Sequence, residues 1–571
     1  MSGIRRDAPV PAAIGATFGS DAFALCLREL GIPYVALNPG SSFRGLHDSI
    51  VNFLGNHDPQ LLLCLHEESA VAIAHGYAKV TERPMGVALH SNVGLLHGSM
   101  AIFNAWCDRV PMLVLGATGP WDAAKRRPWI DWIHTVSDQG GLIRAFTKWD
   151  DQPGSVEAGI ESLFRAVQLA RTAPCGPTYV NFDSAIQESP LAALPPIPDR
   201  HRFAPPPPAA PSPDLLERAA HLLSEAKRPV ILMGRVSRSE RDWDARVALA
   251  ERLQALVMTN QKLGAAFPTD HRLHPFAAGT FLGTANEALR SADVILSLDW
   301  LDLGGTLKQA FGSTVTATVI HASVDLYSHR GFGGEVQALP PVDVYFACPP
   351  DALVRPLLDL VRQRAEAVSL PREVPTAPRA AGLAMSDLAD ELNAATKGCD
   401  VSLTRLPLSW NGALRPYRHP LDFLGGDGGG GIGAGPGLAV GAALALQGTG
   451  RLPVAVMGDG DFLMSANALW TAAHYGIPTL VIVANNRSFY NDEQHQERVA
   501  LARGRPPANK WIGQRIAGPD IDLAAIARAQ GCIGFGPLED RASLREALAR
   551  AVPLVREGAV CVLDVRLPAE G

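Results

Sequence analysis

Asp459 sits between Gly458 and Gly460, and Asn485-Asn486 follow at the far end of the same stretch, GDGDFLMSANALWTAAHYGIPTLVIVANN. Carboxylate and carboxamide oxygens are hard donors. They suit Mg2+, which takes one or two carboxylates and completes its shell with phosphate oxygens and water. The glycines let a phosphate approach the backbone closely, and the N-terminus of a following helix favours an anion. For these groups to meet, the residues between them must fold as strand, helix and parallel strand. PVAVM (453–457) reads as the first strand, 463–475 as the helix and TLVIVA (479–484) as the second strand. Such a unit brings Asp459 and Asn486 to one edge of a sheet, and the stretch reads as a holder for Mg2+ and a diphosphate.

The rest of the chain repeats this grammar. Two proline-rich stretches, 191–214 and 369–382, read as extended linkers. They leave segments 1–195, 210–368 and 382–571. Each alternates short β-rich runs with helical patterns: IPYVALNPG, QLLLCLHEE, PMGVALHS, MLVLGAT and GPTYVNFD in the first; RPVILMG, ALVMTN, DVILSLDW and TVIHASVD in the second; PVAVMGDG, TLVIVANN and AVCVLDVRL in the third. Near-continuous apolar strands between helices predict parallel sheets covered on both faces. The expected fold is α/β, three doubly wound parallel-sheet domains. Ligands in such sheets bind beyond the carboxyl ends of the strands. That is where the polar ends NPGS, HE, HS, GDG and NN fall.

Composition narrows the setting. The 571 residues are 47% hydrophobic and 19% charged, which is ordinary for globular domains with sizeable cores. A net charge of -6 gives no basic surface for nucleic acid. No apolar run is long enough to span a bilayer, so no membrane partner is expected. The first residues, MSGIRRDAPVPAAIG, lack the apolar core of a secretory signal. Eight scattered cysteines form no CxxC pair and read as thiols in a reducing, cytoplasmic setting.

GDG, the residues 461–484 and then NN resemble the thiamine diphosphate (ThDP) motif of the pyruvate decarboxylase and acetolactate synthase superfamily. The resemblance implies ThDP and Mg2+ as cofactors, with Asp459, Asn486 and the Ser488 carbonyl on the metal, and Gly458, Gly460 and Asp461 beside the cofactor. LLLCLHEESAVAIAHGYAK (61–79) is similar to the family's glutamate segment and makes Glu67 the carboxyl that bonds the aminopyrimidine. LGGDGGGGIGAGPGLAVGAALA (424–445) resembles the glycine-rich segment under the cofactor. Gly430 would then offer its carbonyl and Ile432 would prop the bent cofactor. SLTRLPLSWNG (402–412) stands where the family binds the far side of the diphosphate, without the expected residues.

Four features are similar to the benzoylformate decarboxylase branch. NPGSS (38–42) places Ser41 at a substrate carboxylate. LHSNVG (89–94), followed by NAW (104–106), places His90 in the site. FPTDH (267–271) places His271 opposite His90. Histidine suits proton transfer near neutral pH. The sequence departs from the family at His97, where many members carry asparagine, and His134 in WIHT is the one histidine where the pyruvate decarboxylase branch has a pair. The polar run after the asparagines, with Asn491, Asp492, Glu493 and His495, differs from benzoylformate decarboxylase. WDAAKRRPWIDWIHT (121–135) reads as a lid or an interface loop.

The expected activity is decarboxylation of a 2-oxo acid, with carboligation as a possible second outcome. The alternatives are an acetolactate synthase-like carboligase, another ThDP-dependent carbon–carbon lyase, or a non-catalytic protein on the same fold. No FAD fingerprint stands out, so FAD is not expected. The resemblance implies a homodimer or homotetramer with sites at the interface.

Overall fold

The computed structural model describes residues 4–11, 15, 17–277, 279, 285–328, 336–365, 370, 372 and 382–568. The second proline-rich stretch, 369–382, lies almost wholly outside the described residues.

The N-terminal sheet has six parallel strands. β1 (Thr17–Phe18) is separate from it and pairs antiparallel with β8 (Pro190–Leu191). Between these lie β2 (Tyr34–Leu37), β3 (Gln60–Leu63), β4 (Gly86–Leu89), β5 (Met112–Thr118), β6 (Trp149–Asp151) and β7 (Pro177–Asp183), ordered β3-β2-β4-β5-β7-β6. The middle sheet is ordered β10-β9-β11-β12-β13, with β9 (Pro229–Met233), β10 (Leu256–Thr259), β11 (Val294–Leu298), β12 (Thr318–Ala322) and β13 (Val344–Phe346). The third is ordered β14-β15-β16-β18-β17, with β14 (Val401–Arg405), β15 (Leu452–Gly458), β16 (Thr479–Asn485), β17 (Ile533–Leu538) and β18 (Val560–Arg566). Every pairing within these three sheets is parallel. The apolar runs became the inner strands because helices cover both faces: β5, β7 and β16 are buried at every residue.

The unit around Asp459 differs in detail from the sequence expectation. Its helix starts at once, at Asp459, runs to Ser465, and resumes as a separate helix, Ala468–Tyr475. Asp459 is therefore the first helical residue and not part of a free turn.

The first and third domains share one hydrophobic core, which includes Leu62 and Ile73 from one and Val440 and Phe462 from the other. The helix Glu67–Thr81 crosses the helix Gly435–Leu446 at a distance only glycine allows. A Cβ on Gly76 would lie 2.2 Å from the Leu438 carbonyl oxygen, and one on Gly441 would lie 1.8 Å from that of Ile73. Just before the first helix, the Leu63 amide donates to the Tyr475 hydroxyl (2.9 Å) and the Thr471 hydroxyl donates to the Leu63 carbonyl (2.8 Å). The approach to the Glu67 helix is thus fixed by two side-chain hydroxyls of the third domain bonded to the Leu63 backbone.

Candidate active site

β15 and β16 are neighbours in register, with Gly458 opposite Ala484. Their carboxyl ends therefore present Asp459 and Asn486 side by side. The Ser488 amide donates to Asp459 Oδ2 and to Asn486 Oδ1, 3.1 Å in each case. Arg487 makes the turn back possible with φ 57°, a left-handed conformation uncommon outside glycine. Asn485 points into the sheet, where its amide donates to Asp564 (2.7 Å). Asp459 is 3% exposed and no cationic side chain pairs with it among the described residues. Burial without a compensating charge pushes its carboxyl up to about 6. A hard divalent cation held by Asp459, Asn486 and the Ser488 carbonyl would supply the missing charge, so these residues fit Mg2+.

The glycine-rich segment is held from below. Arg405, at the end of β14, bridges Asp427 (2.9 Å) and Asp461 (3.0 Å). Asp461 accepts the Gly433 and Gly435 amides (2.7 and 3.1 Å), and Asp427 accepts that of Gly430 (2.9 Å). Asp461 is thus committed to shaping the loop. Gly430 has φ 75° with open space where a Cβ would be, and Ile432 is 40% exposed. Gly458 also has open space beside it, whereas Gly460 lies against the Phe489 ring. Arg405 escaped the sequence reading. Its signal is two aspartates 22 and 56 positions away, invisible until the loop closes.

Glu67 is the first residue of its helix and is buried. Its Oε2 accepts from His97 Nδ1 at 3.1 Å. The His66 ring stacks on His97 with centroids 5.2 Å apart. Among the described residues no hydrogen bond or ion pair joins Glu67 to the Asp459 group within one chain.

A third group forms at the carboxyl ends of β2 and β4. A Cβ on Gly40 would lie 2.2 Å from that of His90, so the NPG turn leaves room for the imidazole. Ser42, not Ser41, reaches it. The Ser42 hydroxyl lies 2.9 Å from His90 Nδ1 and the Ser42 amide donates to the same nitrogen at 3.4 Å. An amide can only donate, so Nδ1 accepts and a neutral His90 carries its proton on Nε2. Ser41 is exposed at the start of a short 3-10 turn. The next residue after His90, Ser91, has φ 49°. Such outliers cluster at functional sites.

His134 stands edge-on to His90, centroids 4.7 Å apart. Its Nδ1 is buried without a hydrogen-bond partner among the described residues. The loop that carries it is pinned by Arg127 to the buried Asp131 and by Asn92 to the Ile133 carbonyl (3.2 Å), while Trp129 and Trp132 stay exposed. Burial, then the neighbouring His134, lowers the His90 pKa. Among the described residues no hydrogen bond, ion pair or ring contact joins His271 to His90. His271 lies 3.3 Å from Glu251 and edge-on to Phe267 in the middle domain.

Three parallel-sheet domains with an oxygen-rich cluster at the carboxyl edge of the third define an α/β cofactor-binding architecture. The chain belongs to the thiamine pyrophosphate enzyme family: residues 18–142 match its N-terminal TPP binding domain, 216–327 its central domain and 408–565 its C-terminal TPP binding domain. It is 25% identical to benzoylformate decarboxylase of Pseudomonas aeruginosa over 546 residues, 92% of this chain and 94% of that one. It is also 25% identical to the acetolactate synthase large subunit of Lactococcus lactis, over 84% of this chain and 83% of that one. Among solved structures, the 4-hydroxybenzoylformate decarboxylase of Rhodococcus jostii superposes with TM-score 0.78 at 22% identity, covering 97% of this chain and 99% of that one. No described helix is long and apolar enough to cross a membrane.

Proposed function

We propose that this chain is a ThDP- and Mg2+-dependent carbon–carbon lyase that removes CO2 from a 2-oxo acid. The observation that carries the reading is the Asp459 group: a buried carboxylate that no cationic side chain pairs with among the described residues, converging with a carboxamide at the mouth of two parallel strands. Asp459, Asn486 and the Ser488 carbonyl would hold Mg2+ and through it the diphosphate. Gly430 and Ile432 would line the cofactor, and Glu67 would take its pyrimidine. When bound, the cofactor supplies a carbon nucleophile and then an electron sink. His90 is placed to deliver a proton from Nε2 to a carbon left electron-rich by loss of CO2; as the imidazolium its Nδ1–H can donate to the Ser42 hydroxyl (2.9 Å), so giving up the Nε2 proton leaves a neutral ring. Among the described residues no hydrogen bond or ion pair links the Glu67 carboxyl to the Asp459 group, and a homodimer or homotetramer would bring one chain's Glu67 to another's Asp459 group.

The likeness to an acetolactate synthase supports a second reading, in which the fragment left after CO2 loss is joined to another carbonyl. One assay separates the two. CO2 release is measured from a panel of 2-oxo acids, benzoylformate and pyruvate included, with and without ThDP and Mg2+, and the products are identified. Cofactor-dependent release with an aldehyde product is expected. Release that yields only a ligated product favours the second reading, and failure to bind ThDP at all overturns both.

A further inference from the structure

His97 and Gly94 lie one turn apart on the helix Ser91–Cys107, and together they cradle the Glu67 side chain. At Gly94 a Cβ would lie 3.3 Å from both Glu67 Cγ and Glu67 Oε1, so the absence of a side chain leaves the carboxyl room to lie along the helix. One turn further on, His97 Nδ1 meets Glu67 Oε2. A carboxylate only accepts, so Nδ1 carries the hydrogen. The His97 ring is steadied in turn. His66 stacks on it with planes 15° apart, and His66 is itself held because its Nδ1 accepts the Glu68 amide as the helix cap (3.2 Å). One oxygen of Glu67 is thereby fixed by a side-chain donor, while no hydrogen-bond donor engages Oε1 among the described residues.

We propose that His97 is the positioning residue for Glu67: its Nδ1–H fixes which carboxyl oxygen faces the cofactor, and His66 buttresses that ring. The inference rests on the reading of Glu67 as the pyrimidine-binding carboxyl. A carboxyl free to rotate about its last bond would meet its partner in the right geometry only part of the time. A misplacement of about 1 Å can cost about 100-fold in rate.

The test uses the full chain loaded with ThDP and Mg2+ and needs no substrate. Two quantities are read: the Kd of ThDP at saturating Mg2+, from tryptophan fluorescence, and the rate of hydrogen–deuterium exchange at the thiazolium C2 of bound ThDP, by acid quench and NMR. His97→Leu removes the donor. His97→Asn keeps one, because Asn Nδ2 lies as many bonds from Cα as His Nδ1. Glu67→Gln tests the reading underneath.

His97→Leu should slow exchange by about ten- to a hundredfold while Kd moves by less than about threefold, the split expected of a positioning residue. His97→Asn should recover most of the rate. Exchange in His97→Leu at the wild-type rate, beside slow exchange in Glu67→Gln, overturns the inference alone. Equal slowing in His97→Leu and His97→Asn also overturns it, because the donor would then not be what matters. Wild-type exchange in Glu67→Gln removes the Glu67 reading and the inference with it. With its side chain 55% exposed, His97 is a position where both substitutions are readable in folded protein.

Discussion

Asp459 and Asn486, 27 residues apart in sequence, share one donor: the Ser488 amide lies 3.1 Å from Oδ2 of the first and 3.1 Å from Oδ1 of the second. A single N–H thus aims two oxygens from adjacent strands at one point. The turn that carries this N–H depends on the left-handed Arg487. The geometry is preformed by backbone, so an arriving cation need not organise it.

Asp459→Ala should therefore weaken Mg2+-dependent ThDP binding by at least about 100-fold, and Asn486→Leu by about tenfold or more, since even outer partners of a metal site cost 10–100-fold. The check is a ThDP titration at fixed Mg2+, followed by a Mg2+ titration at saturating ThDP. Equal ThDP affinity with and without chelator in the wild type would remove the metal role.

The legible parts were those that rest on one local pattern. The apolar runs of β5, β7, β15 and β16 read as inner strands because both faces are covered. β14 was hidden. VSLTR is buried throughout, but Ser402 and Thr404 break the apolar run, and their polar atoms find partners only in the fold, at Arg451 (2.7 Å) and the Val454 carbonyl (3.3 Å). Edge strands β6 and β17 are only partly buried and left little apolar signal. In the site, the 3-10 turn leaves Ser41 exposed and turns Ser42 to His90, a contact that the NPGS motif alone does not show. His134 sits in a stretch dominated by exposed tryptophans, and no spacing rule links it to His90, 44 residues earlier.

The His90–His134 contact has a readable consequence. His134 both covers His90 and, when protonated, repels a proton on it, and each effect lowers the His90 pKa. His134→Leu removes the charge effect and leaves burial. The basic limb of the kcat/KM profile, set by loss of the proton that His90 delivers, should then move to higher pH. A basic limb that stays in place or moves down would detach it from this pair.

Gly76 tests the helix crossing that fixes Glu67. Gly76→Ala places a methyl 2.2 Å from the Leu438 carbonyl oxygen, so the helices must separate. Overpacking of this kind costs about 1–3 kcal/mol. A lower thermal midpoint and weaker ThDP binding are expected together, because the same helix begins at Glu67. Gly154→Ala, with nothing within 4 Å of the new methyl, is the control and should leave both unchanged. Unaltered stability in Gly76→Ala would show that the crossing yields.

FPTDHRLHPF directs attention to His271, but His274 is the buried histidine of that stretch. Its Nε2 lies 2.8 Å from the Thr259 hydroxyl on β10. Burial holds its pKa down at about 4. In the unfolded chain the imidazole titrates near 6.5. Between those values the unfolded state binds a proton that the folded state refuses, so this residue's contribution is intact above about pH 6.5 and is lost progressively as pH falls toward 4. The full loss is roughly 3 kcal/mol. His274→Gln removes the titrating group, so its thermal midpoint should fall less between pH 7.5 and 5.0 than that of the wild type, even if it starts lower for want of the original packing. Other acid-sensitive groups are common to both proteins and cancel in the comparison. Parallel pH curves for the two proteins would mean that His274 takes up its proton without unfolding the middle domain.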